Sequence, residues 1–67
     1  MTLRHLNIFI GVCELLNMTK TAEKLNMTQP AVSQAVAELE DFYSVKLFER
    51  LGKKIYLTSA GEKLLNY

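Results

Sequence analysis

Sixty-seven residues, 49% of them apolar and 22% charged, suffice for one small domain that buries roughly 60% of its unfolded surface. The single Cys13 excludes an intramolecular disulfide and a multi-cysteine metal site, and no run approaches the roughly 20 apolar residues of a membrane span. The net charge of +1 gives no overall basic excess, so any polyanion partner must be met by a local patch.

The opening MTLRHLNIFIGVCELLN has one arginine, interruptions at Asn7 and Glu14 and no small-residue cleavage site. It is therefore not read as a signal peptide, and a cytoplasmic protein with no membrane partner is expected. Leu3, Leu6, Phe9, Ile10, Cys13 and Leu16 recur at threes and fours and predict an amphipathic first helix from Thr2 to Leu16. Cys13, among Ile10, Val12 and Leu16, is expected to be a buried structural thiol. His5, the only histidine, is expected at the helix surface or edge.

Asn17 and Met18 end that helix, and Thr19 is the expected N-cap of a short second one, Lys20 to about Leu25. Ala22 and Leu25 would face inward, with Lys20, Glu23 and Lys24 outward. Asn26 tolerates the left-handed backbone of a tight corner, and Met27 can plug that corner from inside. Thr28 is the next N-cap, and Pro30 falls in the first turn of a third helix, where its missing N–H costs nothing. This helix runs from Gln29 to about Tyr43, with Val32, Ala35, Val36, Leu39 and Tyr43 as its inner stripe.

After Ser44 the periodicity changes. KLFER and KIYLT are short β-rich runs joined by LGKK, with Gly52 at the flexible turn position. Thr58, or Ser59 with Glu62 in an S-x-x-E box, caps a fourth helix. No Gly, Pro or basic last turn closes it, so the helix is expected to run on and the chain to be part of a longer protein.

The segment KTAEKLNMTQPAVSQAVAELE meets the demands of a helix-turn-helix, in which the second helix enters the DNA major groove and the first braces it. Ala22 is the small residue at the crossing, Asn26 the turn four positions later, Met27 the apolar residue after it, and Val32 the β-branched core residue six after the turn. Pro30, Ser33, Gln34 and Ala37 lie roughly opposite the inner stripe, with Gln29 at the margin. Short uncharged side chains approach base edges closely, and glutamine pairs with adenine N6 and N7 in two bonds. The bland alternative is a merely solvated face, although a solubility face more often carries Glu, Lys or Arg.

Lys46, Arg50, Lys53 and Lys54 lie within nine residues, opposed only by Glu49. Lys53 and Lys54 on the hairpin would reach phosphates or the minor groove, or would simply protect an edge strand. Arg50 would contact phosphate, or pair with Glu49 or with the acidic group Glu38, Glu40 and Asp41. Lys20 is a further candidate DNA contact. A protein-interaction module is the alternative function, but it would need an apolar outer face on helix 3. One histidine, no glycine-rich phosphate loop and no nucleophile–base pair argue against an enzyme.

With these residues in order, the whole chain resembles the N-terminal DNA-binding domain of LysR-type transcriptional regulators. The resemblance rests on LRHLNIF, KTAEKLNMTQPAVSQAVAELE, VKLFER and LTSAGEKLL. It implies a mainly α, winged helix-turn-helix fold: a three-helix core, a two-stranded β-hairpin wing, and the start of a fourth linker helix. Residues 1–58 would be the DNA-binding domain and 59–67 the start of a dimerisation helix bearing Leu64 and Leu65. A C-terminal domain that senses a small-molecule effector would lie outside this segment, and no cofactor is expected within it. Double-stranded DNA and a second copy of the chain are the implied partners. DNA contacts would fall at Thr28, Gln29, Pro30, Ser33, Gln34 and the wing residue Lys53. Three departures stand out: Gln34 where many members carry Arg, Ser44 where a helix-ending Gly is frequent, and NMTKTA in place of a Gly-Ser-containing corner.

Overall fold

The computed structural model of the protein describes residues 2–66. Three helices, α1 (Leu3–Leu15), α2 (Met18–Lys24) and α3 (Gln29–Tyr43), are followed by an antiparallel hairpin, β1 (Phe48–Leu51) and β2 (Lys54–Leu57), and by α4 (Ser59–Leu65). The core is one cluster: Ile8, Phe9 and Val12 of α1, Met18 and Ala22 of α2, Val32, Ala35, Val36 and Leu39 of α3, and Leu47 and Phe48 at the entry to the wing. The Phe9 and Phe48 rings meet with centroids 5.5 Å apart and planes tilted by 50°, so the wing is rooted in the helical core.

The inner face of α1 differs from the expected stripe. Ile8, Phe9, Gly11 and Val12 are buried, while Leu3 is 74% exposed and Ile10 and Leu16 also reach solvent. Helix 1 is apolar on most sides, so two phases of the pattern compete. Gly11 decides between them: a Cβ built there would stand 3.1 Å from Thr21 Cγ2, so this bare position is where α2 crosses. Cys13 is accordingly half-buried rather than buried.

The first corner is also corrected. Asn17, not Thr19, caps α2, its Oδ1 accepting the Lys20 N–H at 2.8 Å, and Met18 belongs to the helix and is buried. This follows from Leu16, which takes the left-handed conformation (φ 49°) and returns its N–H to the Val12 carbonyl at 2.7 Å. Such a turn ends α1 one residue earlier than Asn17 would, which frees Asn17 to cap.

The second corner forms as the residue types dictate. Asn26 is left-handed (φ 55°), and the N–H groups of Asn26 and Met27 return to the carbonyls of Glu23 and Ala22 at 3.3 and 2.8 Å. That double bond is a Schellman motif. Thr28 Oγ1 then accepts the Ala31 N–H at 3.3 Å, with Pro30 in the first turn. At the far end of α3 the same motif recurs on Ser44 (φ 54°), where the Ser44 and Val45 N–H groups bond the Asp41 and Glu40 carbonyls. Ser44 thus carries a β-carbon in a left-handed conformation that suits glycine. Tyr43, placed by pattern on the inner stripe, is instead 38% exposed and stacks edge-on against Phe42, because the helix has already passed the core.

Two anchors hold the wing. Glu40 Oε2 accepts the N–H groups of Leu47 and Phe48 at 2.8 and 3.3 Å. Thr58, which proves to be the cap of α4 in place of Ser59, accepts the Gly61 N–H at 3.1 Å, donates its hydroxyl to the Lys46 carbonyl and its N–H to the Leu47 carbonyl. Gly61 is forced by packing: a Cβ there would stand 2.5 Å from the Leu47 carbonyl oxygen. The hairpin turns on two residues, Gly52 and Lys53, between the paired Leu51 and Lys54. Only Gly52 has positive φ (67°), as a two-residue loop with glycine first requires.

Candidate nucleic-acid interface

The start of α2, the start of α3 and the wing enclose one open groove of about 330 Å³, lined by Asn17, Met18, Thr19, Gln29, Arg50, Gly52, Lys53, Lys54 and Ile55. Four of the candidates singled out from sequence, Gln29, Arg50, Lys53 and Lys54, therefore meet on one concave surface. Lys54 is the first residue of β2 rather than part of the loop, and Lys53 stands at the tip. Lys20 lies exposed on α2, outside the lining of that groove.

Arg50 faces the groove because of strand register. It pairs with Ile55, and Glu49 pairs with Tyr56; since successive side chains alternate faces, Arg50 and Ile55 share one side and Glu49 the other. Among the described residues no ion pair involves Arg50, Lys53 or Lys54. Two of the acids expected to compete for them are otherwise engaged. Glu40 binds backbone N–H groups, and Glu38 Oε1 accepts from His5 Nε2 at 2.8 Å.

His5 was expected as an edge residue and is more than that. It is half-buried, with Nδ1 2.8 Å from Thr2 Oγ1 and Nε2 on Glu38, so it links α1 to the middle of α3. Nothing in the residue pattern of either helix alone points to this pair, which joins positions 33 apart in sequence.

Along α3 the reading face divides. Pro30, Gln34 and Ala37 are exposed, and Ser33 is half-buried. Gln29 Nε2 donates to Ser33 Oγ at 2.7 Å, which sequence reasoning missed although the i, i+4 spacing that permits it was visible. The exposed Gln34 also borders a second groove of about 240 Å³ between α1 and α3, shared with Arg4, His5, Met27 and Glu38. Thr28 accepts the Ala31 N–H with its hydroxyl oxygen as the helix cap, so its proton and one lone pair remain for an outside partner. The first turns of α3 thus expose no large apolar side chain such as a docking helix would show; Phe42 and Tyr43, which are exposed, lie at its far end.

Elsewhere, Leu64 is half-buried and packs against the core, while Leu65 is 43% exposed. Cys13 packs against the core, and its thiol is pushed up to about 11, by burial first and the neighbouring Glu14 carboxylate second, which disfavours the reactive thiolate. No helix among the described residues is long and apolar enough to cross a membrane.

Three packed helices, a tight helix-turn-helix corner and a basic two-stranded wing beside the second helix define a winged helix-turn-helix protein. Residues 3–62 match the family model for bacterial regulatory helix-turn-helix proteins of the lysR family, and the chain belongs to that family. It is 48% identical, over its whole length, to the HTH-type transcriptional regulator AlsR of Bacillus subtilis (strain 168), of which it spans 22%. A crystal structure of a LysR-family transcriptional regulator from Eggerthella lenta DSM 2243 superposes with a TM-score of 0.94 at 47% identity, over 98% of this chain and 94% of that one. The CbnR DNA-binding domain, solved in complex with DNA, superposes with a TM-score of 0.93 at 38% identity, over 98% of this chain and 76% of that one. The chain spans less than half the length of the curated relatives it matches.

Proposed function

We propose that this chain binds double-stranded DNA in a sequence-specific manner for transcriptional regulation, with the start of α3 in the major groove and the wing on phosphate or in the minor groove. The observation that carries this reading is the groove that sets Gln29 beside Arg50, Lys53 and Lys54. It joins uncharged hydrogen-bonding groups, which discriminate base edges, to unpaired cations, which supply sequence-independent affinity. Membership of the lysR family and the likeness to a domain solved with DNA support it.

In this reading Gln29, backed by Ser33, and Gln34 face bases, Thr28 and Pro30 approach the backbone at the helix start, and Arg50, Lys53, Lys54 and Lys20 meet phosphates. The exposed Leu65, with Leu64 behind it, begins the surface through which α4 pairs two copies, so that two half-sites are read at once. A small-molecule effector would act through a further domain, and the protein would work in the cytoplasm. Selection of preferred duplexes from a random pool tests the proposal: a defined motif is expected to be enriched. Retention of every sequence alike, or no retention at all, would overturn it.

A further inference from the structure

We propose that Ser33 is a positioning residue for Gln29, and that the two form a single base-reading unit rather than two independent contacts. The inference rests on the DNA-binding reading above and deepens it. Its basis is the bond from Gln29 Nε2 to Ser33 Oγ at 2.7 Å, between side chains one helical turn apart.

The bond settles the orientation of an amide that would otherwise rotate. One Nε2 proton is committed to Ser33, so the second Nε2 proton and Oε1 remain for an outside partner, in a fixed order along the helix. That pair, one donor and one acceptor, is what adenine N7 and N6–H₂ require. Ser33 Oγ acts as acceptor in this bond and keeps its own proton to donate. Gln29 is half-buried and lines the groove beside Arg50, Lys53 and Lys54. Its backbone, between the Thr28 cap and Pro30, has little freedom of its own. A glutamine with several rotatable bonds normally loses that freedom only on binding; here the loss occurs on folding, so the bound geometry is prepared in advance. Gln34, in the groove on the α1 side, lies outside this unit.

The consequence is coupling. Ser33→Ala removes no direct base contact in this scheme, yet it loosens Gln29. Alanine favours the helix more than serine does, so loss of folding does not confuse the result. The test has two arms. In the free chain, nuclear magnetic resonance of the Gln29 side-chain amide should show faster proton exchange in Ser33→Ala than in the wild type, and recovery in Ser33→Thr. An amide that exchanges alike in all three overturns the proposal.

In the second arm, duplex selection is run on wild type, Gln29→Ala, Ser33→Ala and the double variant. Ser33→Ala should relax preference at the same base pairs as Gln29→Ala, by about tenfold for a good two-bond contact, and the double variant should lose no more than Gln29→Ala alone. Relaxation at different base pairs, or losses that multiply, would show Ser33 contacting DNA by itself and overturn the coupling. If Gln29→Ala selects the wild-type motif unchanged, the base-reading role of Gln29 has failed, and the unit with it.

Discussion

The Glu40 carboxylate, near the end of α3, accepts the backbone N–H of Leu47 at 2.8 Å, just before the first wing strand. One side chain thus ties the entry of the wing to α3. Hydrogen bonds to an ionised group contribute about 1.5–3 kcal/mol, and Glu40 also takes the Phe48 N–H. Glu40→Ala is therefore expected to destabilise the fold by about 2 kcal/mol in urea denaturation, and Glu40→Gln by about half as much. Hydrogen exchange at Leu47 and Phe48 should quicken in Glu40→Ala. Unchanged exchange would mean that the wing is held by Thr58 and the Phe9–Phe48 contact alone.

Gly61 is the most tightly packed of the three glycines, with room for no β-carbon between α4 and the Leu47 carbonyl. Gly61→Ala is expected to cost about 1–3 kcal/mol by overpacking, even though alanine is the better helix former. A denaturation midpoint at or above that of the wild type would contradict this packing.

Ser44 ends α3 in a conformation that suits glycine. The left-handed region costs a residue bearing a β-carbon about 1–2 kcal/mol, and part of that is returned by the greater freedom of glycine in the unfolded chain. Ser44→Gly should stabilise the protein by about 0.5–1 kcal/mol in thermal or chemical denaturation. A loss of stability would show that the serine side chain contributes there.

Much of this was legible from the residues. Asn26, Thr28 and Pro30 act through their own backbone preferences, so the corner and the third helix lie where the residue types put them. Gly52 placed the hairpin turn for the same reason. Helix 1 misled because Leu3, Ile10 and Leu16 satisfy the helical period as well as Ile8 and Val12 do. Only the crossing of α2 over Gly11, a tertiary fact, selects the inner face. The candidate site was half legible. The types at Gln29, Ser33, Arg50, Lys53 and Lys54 signalled their chemistry, but the hydrogen bonding of Glu38 to His5 and of Glu40 to backbone N–H groups depends on long-range approach.

Cys13 gives a pH prediction with a definite sign. Its thiol titrates at about 11 in the fold against an ordinary 9.0, so between those values the unfolded chain has lost a proton that the folded chain keeps. Stability from this group is constant below the lower value and falls as pH rises through the window. Alkylation of Cys13 at neutral pH should likewise be slower in the native chain than in the chain unfolded by urea. Equal rates would contradict an inert, half-buried thiol.

The division of labour between α3 and the wing is tested most directly by the salt dependence of binding, measured on a selected duplex and on a scrambled one for wild type, Gln29→Ala and Lys53→Ala. Lys53→Ala is predicted to weaken binding to both duplexes and to lower the logarithmic salt slope by about 1. Gln29→Ala is predicted to keep the slope and lose about 1–3 kcal/mol on the selected duplex only. If both variants keep wild-type affinity and slope on both duplexes, the groove between α3 and the wing is not where this protein meets DNA.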